Sequence, residues 1–177
     1  MKVLITAFKP FNNMSNNYSS EVLKYINNVD KIILDVVYDE CFNELNNKFN
    51  LADYDLIISM GEARSRKVLT LEKRAINLSS CSLADNAGVI KKEEKIVQNG
   101  DEYLYTKLPI EQSDIEISLD AGRFVCNNIY YHLLFNYSEK SLFIHIPECN
   151  NDTMKYREYA EKIEKLILTL GGVLWNI

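Results

Sequence analysis

The chain is short of the residues that mark several specialised protein classes. It has only 2 histidines, and its 4 cysteines, Cys41, Cys81, Cys126 and Cys149, show no close paired spacing. Neither a zinc site nor a redox pair is therefore indicated. No apolar run reaches the roughly 18 residues of a membrane-spanning helix, so a membrane span is excluded on length. Basic residues are in deficit: Lys and Arg total 20 against 25 Asp and Glu, a formal net charge of -5. No basic cluster is interleaved with aromatics, and Arg64-Ser65-Arg66-Lys67 is the nearest approach to one. That balance favours solubility and argues against nucleic acid as a partner. Internal repeats and low-complexity linkers are also missing. The first apolar run is too short for a secretion signal and is interrupted by Lys9-Pro10. The cysteines are accordingly expected as free thiols in the cytoplasm.

What remains is ordinary globular material. A length of 177 residues with 47% hydrophobic and 25% charged residues fits one compact domain spanning 1–177. Val3 to Ala7 reads as a buried strand, followed by a turn region from Lys9 to Asn17. Ser19, Ser20 and Glu21 can open a helix carrying Val22, Leu23, Tyr25 and Ile26. Lys31 to Val37 reads as a second strand, and Cys41, Leu45 and Phe49 lie at the spacing of one helix face between about Asp39 and Asn50. The clearest strand is Tyr54 to Gly61, ended by its glycine and a polar loop. This β-α-β-α-β rhythm predicts an α/β domain with a largely parallel sheet.

The second half continues the pattern with less regularity. Val68 to Leu78 alternates in part around Glu72-Lys73-Arg74, and Asp85-Asn86-Ala87-Gly88 is a strong turn signal. Lys91 to Lys95 reads as a solvated patch, Glu102 to Leu108 as an exposed extended segment, and Glu111 to Glu116 as one or two turns of helix. A short strand near Ile115 and Ile117 leads through a small-residue turn into an apolar helix ending near Leu134. Leu142 to Ile146 is a strand closed by Pro147. The last helix runs from Met154 to Leu170, where Gly171-Gly172 should stop it, and Val173-Leu174-Trp175 is expected as an edge strand or a packing surface.

Three groups carry chemistry. Cys126 sits at the start of the apolar helix, where the positive end of the dipole favours thiolate. The competing reading is a small buried hydrophobe. His145 follows apolar residues at the carboxyl end of a late strand, the usual position for a working imidazole, although a core histidine occupies such a strand equally well. His132, on the apolar helix, reads as structural or partly exposed. Glu72 points either into a cleft or, from an edge strand, to water. Phe8 and Phe11 flank Pro10 and either pack over the sheet edge or line a pocket beyond the first strand. Thiol, imidazole and carboxylate together are the parts of a cysteine-nucleophile site.

Four blocks in order resemble the pyroglutamyl peptidase type I (pyrrolidone-carboxylate peptidase) family. They are Met1 to Phe11, ending Phe8-Lys9-Pro10-Phe11; Glu72 through Ala75 and Asn77 to Asp85-Asn86-Ala87-Gly88; Ala121 to Asn127 around Cys126; and Phe143-Ile144-His145-Ile146-Pro147. The resemblance implies a single three-layer α/β/α domain with a twisted, mostly parallel central sheet. It implies a cysteine peptidase that removes an N-terminal pyroglutamyl residue from a peptide with a blocked N-terminus, through a thioester and with no metal or cofactor. Cys126 would be the nucleophile, His145 the general base and then acid, and Glu72 its orienter. Phe8 and Phe11 match the aromatics around the lactam ring. Asn17 falls near the substrate, and Arg66 matches a family arginine in the loop after the third strand. A homodimer or homotetramer is implied, and the apolar end Val173 to Ile177 either serves an interface or finishes the core.

The chain also departs from the family pattern. Asn12-Asn13 stand where the family has Gly-Gly, Ala7 where it has glycine, and Ala84 where it has proline. Ser82 replaces an arginine given a part in oxyanion stabilisation, so an oxyanion or loop role falls to Ser82 or Arg66. Glu62 replaces a glutamine that contacts the lactam amide; an ionised carboxylate accepts from the ring N–H but cannot donate to the ring carbonyl. The connection between the last strand and last helix is short. Two other readings stay open: a non-catalytic relative that binds a peptide terminus or partner, and an amidohydrolase acting on another small cyclic or cationic N-terminal group. An acidic pocket around Glu62 would favour the second.

Overall fold

The structure, a computed structural model, describes residues 1–174. Among the described residues eight strands and four α-helices follow one another: β1 (Val3–Phe8), α1 (Tyr18–Leu23), β2 (Asp30–Leu34), α2 (Glu40–Lys48), β3 (Leu56–Glu62), β4 (Thr70–Glu72), β5 (Arg74–Ile76), β6 (Tyr103–Tyr105), β7 (Glu116–Ser118), α3 (Val125–Tyr137), β8 (Ser141–Ile146) and α4 (Thr153–Leu174). Six strands form the main sheet in the order β2-β1-β3-β8-β4-β7, while β5 and β6 make a separate antiparallel ribbon. All neighbours in the main sheet are parallel except β8 and β4.

The apolar strands of the parallel block reflect burial on both faces. Every residue of β1 and β8 is buried. Val3, Ile5, Ala7, Ile58, Met60, Ile144 and Ile146 pack on one side with Val22 and Leu23 of α1 and Ile163, Leu166 and Leu170 of α4. Leu4, Phe8, Ile57 and Phe143 pack on the other with Leu45 of α2 and Val125, Ile129 and Leu133 of α3. The result is a single α/β domain with helices on both faces of a largely parallel sheet, as the sequence predicts. The second face carries small or polar residues beneath α3: Thr6 and Ser59 are fully buried and hydrogen-bond to each other at 3.0 Å. Among the described residues no helix is long and apolar enough to cross a membrane.

Several local expectations change. The alternating stretch 68–78 is two strands: β4 joins the main sheet and β5 leaves it, the break falling at Lys73. Alternation reported the pleat correctly but could not show that the chain changes sheets. Val36 and Val37 lie beyond β2, and the expected helix at 111–116 is one turn at Ile110–Gln112. Gly61 does not end β3, which continues to Glu62. Gly171-Gly172 does not stop α4, which runs through both; Gly171 lies against Met1, where a side chain would meet the Met1 thioether at 3.3 Å. The edge strand expected at 173–175 is therefore replaced by helix as far as Leu174, and 175–177 lie outside the described residues. Lys91 is no solvated patch: its Nζ pairs with Asp39 at 2.7 Å and lies over the Tyr38 ring. His132 is part-buried against the same carboxylate, 3.3 Å from Asp39 Oδ1.

Candidate active site

The sheet order sets the place of the site. From β1 the chain goes to β2 on one side and then to β3 on the other, so the connections diverge beyond the carboxyl ends of β1 and β3. Open α/β sheets bind ligands in that crevice. Here it holds a cavity of about 310 Å³ whose lining includes Phe8, Phe11, Asn17, Glu62, Arg66, Cys126 and His145. Of the candidate catalytic, substrate and oxyanion residues named from the sequence, Glu72 and Ser82 are not in that lining.

Cys126 is the second residue of α3. The turn before it uses Gly122 at φ +77, a conformation that suits glycine. The helix is capped by Phe124 without any side-chain hydrogen bond, so first-turn N–H groups have no side-chain acceptor there. Gly61 of β3 makes room for the sulfur: a Cβ at that position would lie 2.5 Å from Cys126 Sγ. Gly61 is the register partner of His145 on the adjacent parallel strand β8. Register partners project to the same face, so the sulfur rests over the strand position beside the imidazole. The ease of ionisation expected from the helix dipole is not seen. Burial above all, with the nearby Glu72 and Glu62 carboxylates, pushes the Cys126 thiol up to about 12, its own backbone N–H and Arg66 opposing them only in part. Desolvation outweighs the dipole, and the resting group is a neutral thiol.

Glu72 lies behind His145, one step deeper in the sheet. In the antiparallel pair β4–β8, Thr70 faces His145 and Glu72 faces Phe143, which sets Glu72 diagonal to the imidazole on the same face. Its Oε1 is 2.8 Å from His145 Nδ1, and the Glu72 side chain is 0% exposed. An ionised carboxylate can only accept, so Nδ1 carries the proton and Nε2 keeps its lone pair. The same Oε1 is 2.7 Å from Arg66 Nη2, which also donates to the Asp120 carbonyl at 2.6 Å. Arg66 thus joins the loop after β3, the carboxylate on β4 and the turn leading to Cys126. This contact gives Arg66 a place that spacing alone could not reveal.

The ring-side residues divide into packing and polar groups. Phe8, the last residue of β1, is 2% exposed. Phe11 packs on Phe124 at 5.9 Å between centroids, and Phe124 meets Tyr38 edge-on at 5.5 Å. Phe124, the N-cap of α3, also lines the cavity, which its place at the head of an apolar helix does not reveal. Asn17 caps α1: its Oδ1 accepts from Ser19 N at 3.0 Å and Ser19 Oγ at 2.7 Å, and its Nδ2 donates to the Lys9 carbonyl at 3.2 Å. Glu62 accepts from Arg64 Nε at 2.7 Å, Arg64 Nη2 at 3.2 Å and the Tyr18 backbone N–H at 2.9 Å. Ser82 is exposed and lies outside the cavity lining. Asn12 and Asn13 both adopt positive φ, 51 and 59, a conformation that asparagine tolerates far better than most side chains. Asp85 organises its turn by accepting from Ala87 N, Val89 N and Tyr38 N.

Comparison with known proteins agrees with this geometry. The family described as "Pyroglutamyl peptidase" matches residues 1–162. A pyrrolidone-carboxylate peptidase of Thermosipho melanesiensis is 31% identical over 175 residues, covering 88% of this chain and 87% of that protein. One of Fusobacterium nucleatum is 32% identical over 166 residues, covering 82% and 78%. The crystal structure of Bacillus amyloliquefaciens pyroglutamyl peptidase I superposes with a TM-score of 0.81 at 28% identity, over 92% of this chain and 93% of that one. A mutant pyrrolidone carboxyl peptidase from Pyrococcus furiosus shares the fold with a TM-score of 0.86 at 23% identity, over 98% and 100%.

Proposed function

Because the chain belongs to the pyroglutamyl peptidase family of cysteine hydrolases, we propose that it hydrolyses the amide bond after an N-terminal pyroglutamyl residue of a peptide. His145 Nε2 takes the proton of the Cys126 thiol as sulfur attacks the scissile carbonyl. Glu72, accepting from Nδ1–H, fixes the ring and stabilises the imidazolium that forms. Backbone N–H groups at the start of α3 face the developing oxyanion. His145 then gives the proton to the leaving amine, and water attacks the thioester, regenerating the thiol and releasing pyroglutamate. A neutral resting thiol is consistent with this order, since its proton moves only in the step that makes the thioester.

The observation that carries the reading is the 2.8 Å contact between His145 Nδ1 and buried Glu72, with His145 lining the same cavity as Cys126. A second observation weighs against a cationic N-terminal group as substrate: Glu62 is paired with Arg64 and does not offer an unpartnered negative charge. Phe8 and Phe11 supply the apolar walls for a lactam ring, with Asn17 holding the wall that carries them. The cytoplasmic setting and a homodimer or homotetramer belong to the same reading; sedimentation of the purified chain tests the assembly. For the activity, pyroglutamyl-coumarin amide is offered to the parent and to Cys126→Ala across roughly pH 6 to 9. The parent should release coumarin and the variant should not. Equal rates for the two would overturn the assignment.

A further inference from the structure

Arg64 is assigned no part by the sequence, and it does not line the cavity. Its guanidinium nevertheless organises one wall of it. The Glu62 side chain, at the cavity's edge, is only 2% exposed and receives two N–H groups from Arg64 and one from the first residue of α1. Arg64 is itself held in place: it lies 4.4 Å over the Tyr18 ring, its Nη1 is 3.2 Å from the Tyr18 hydroxyl, and it is 3.9 Å from Glu148. The Tyr18 hydroxyl also hydrogen-bonds Glu148, in the short turn between β8 and α4. One guanidinium therefore ties the end of β3, the start of α1 and the β8–α4 turn to a single carboxylate.

We propose that Arg64 is a specificity-determining residue that acts through Glu62. It cancels the charge of that carboxylate and fixes both oxygens, so the ring pocket accepts a neutral lactam and discriminates against a protonated ring nitrogen. This rests on the pyroglutamyl reading above. The physical basis is that a bidentate guanidinium consumes a carboxylate's charge without removing its acceptors. Glu62 Oε1, which accepts only from Arg64 Nε, retains a lone pair for a ring N–H, while Oε2 is filled by Arg64 Nη2 and the Tyr18 N–H; a cation entering the pocket meets Arg64 behind the carboxylate. Without Arg64 the same carboxylate becomes a buried, uncompensated charge, which attracts cations and binds neutral rings poorly.

The test compares two ring substrates. Pyroglutamyl-coumarin amide carries the neutral lactam, and prolyl-coumarin amide carries the same five-membered ring with a protonated nitrogen and no ring carbonyl. Arg64→Met keeps an unbranched stem over Tyr18 and removes the charge. The ratio of kcat/KM for pyroglutamyl over prolyl substrate should fall by about tenfold or more, the scale of one hydrogen bond to a charged group, with most of the loss on pyroglutamyl KM. Adding Glu62→Gln to Arg64→Met should return the ratio toward the parental value. A purely structural role would lower both substrates together and would not be rescued, and either result overturns the proposal. Calorimetric binding of 2-pyrrolidone to the Cys126→Ala protein, with and without Arg64→Met, separates this from the activity itself. Pyrrolidone binding that depends on Arg64, in a protein whose parent does not hydrolyse the amide, would sink the proposed reaction and leave the role of Arg64 standing. Hydrolysis with an unchanged ratio in Arg64→Met would do the reverse.

Discussion

Replacing Gly61 by alanine places a methyl group directly beneath the reactive sulfur. Its carbon would stand 2.5 Å from Cys126 Sγ and 2.9 Å from Phe143 Cζ. Non-bonded carbon contacts settle at about 3.5–4.0 Å, so the deficit at sulfur is about 1 Å or more. Phe143 cannot absorb it: the ring is fully buried, with Tyr130 at 5.6 Å and His145 at 4.8 Å between centroids. The movement falls on the thiol and the first turn of α3. Overpacking of this kind costs about 1–3 kcal/mol, a fall in melting temperature of roughly 2–12 °C at 2–4 °C per kcal/mol for a domain of this size. A displacement of about 1 Å at reacting atoms costs on the order of 100-fold in rate. Thermal melts and kcat/KM on pyroglutamyl-coumarin amide read the two effects, and alkylation with iodoacetamide shows that the thiol is still present. An alanine variant with parental kcat/KM would refute the account of Gly61 as the residue that seats the nucleophile.

Further predictions concern the groups around that sulfur. Glu72→Gln presents a donor to His145 Nδ1 and favours the wrong tautomer, so kcat should fall by about 10⁴-fold with little change in KM; a loss confined to KM would contradict the orienting role. Arg66→Met leaves the Glu72 carboxylate buried without its cation, which should cost about 3–5 kcal/mol in urea unfolding and slow turnover; unchanged stability would show that the 2.7 Å pair carries no net weight. For pH, the raised Cys126 value means that the folded state keeps a proton which the unfolded chain releases near its ordinary value of about 8.5. Its contribution to stability is full below that pH and is lost as pH climbs toward about 12. By pH 10 the loss should be about 1–2 kcal/mol, and urea midpoints should decline less steeply in Cys126→Ala; identical slopes would argue against the buried neutral thiol.

The parallel half of the fold was legible because its strands are apolar runs buried on both faces, and its helices carry their own periodicity. The blocks around Cys126, His145 and Glu72 were legible because a strand end or helix start confines each of them. Other features depended on contacts between distant segments. Gly61 looked like a strand terminator, since nothing local shows that a thiol from α3 occupies the space of its missing side chain. Lys91 looked like one of several solvated charges, because its partner Asp39 lies on a different element. Gly171-Gly172 looked like a helix stop, yet propensity is a weak prior once packing against Met1 rewards a small residue. At Cys126 the helix dipole loses on magnitude: a terminal dipole is worth about 0.3–1 kcal/mol at an exposed surface, and desolvation of a buried thiolate exceeds it.

The reversal of direction at β4 explains why Arg66 and Glu72 can meet while standing so close in sequence. The loop after β3 opens at the mouth of the crevice, where Arg66 lines the cavity. Were β4 parallel to β8, the chain would need to return to the far end of the sheet before starting it, and such crossovers take a dozen or more residues. Because β4 runs antiparallel to β8, it starts at the mouth with Thr70 beside His145 and carries Glu72 inward beside Phe143. The carboxylate is thereby sealed from solvent beneath the imidazole, and Arg66 reaches down to it from the rim. A short connection and one antiparallel pairing thus build the charged support of the site, and the separate β5–β6 ribbon begins only after that support is in place.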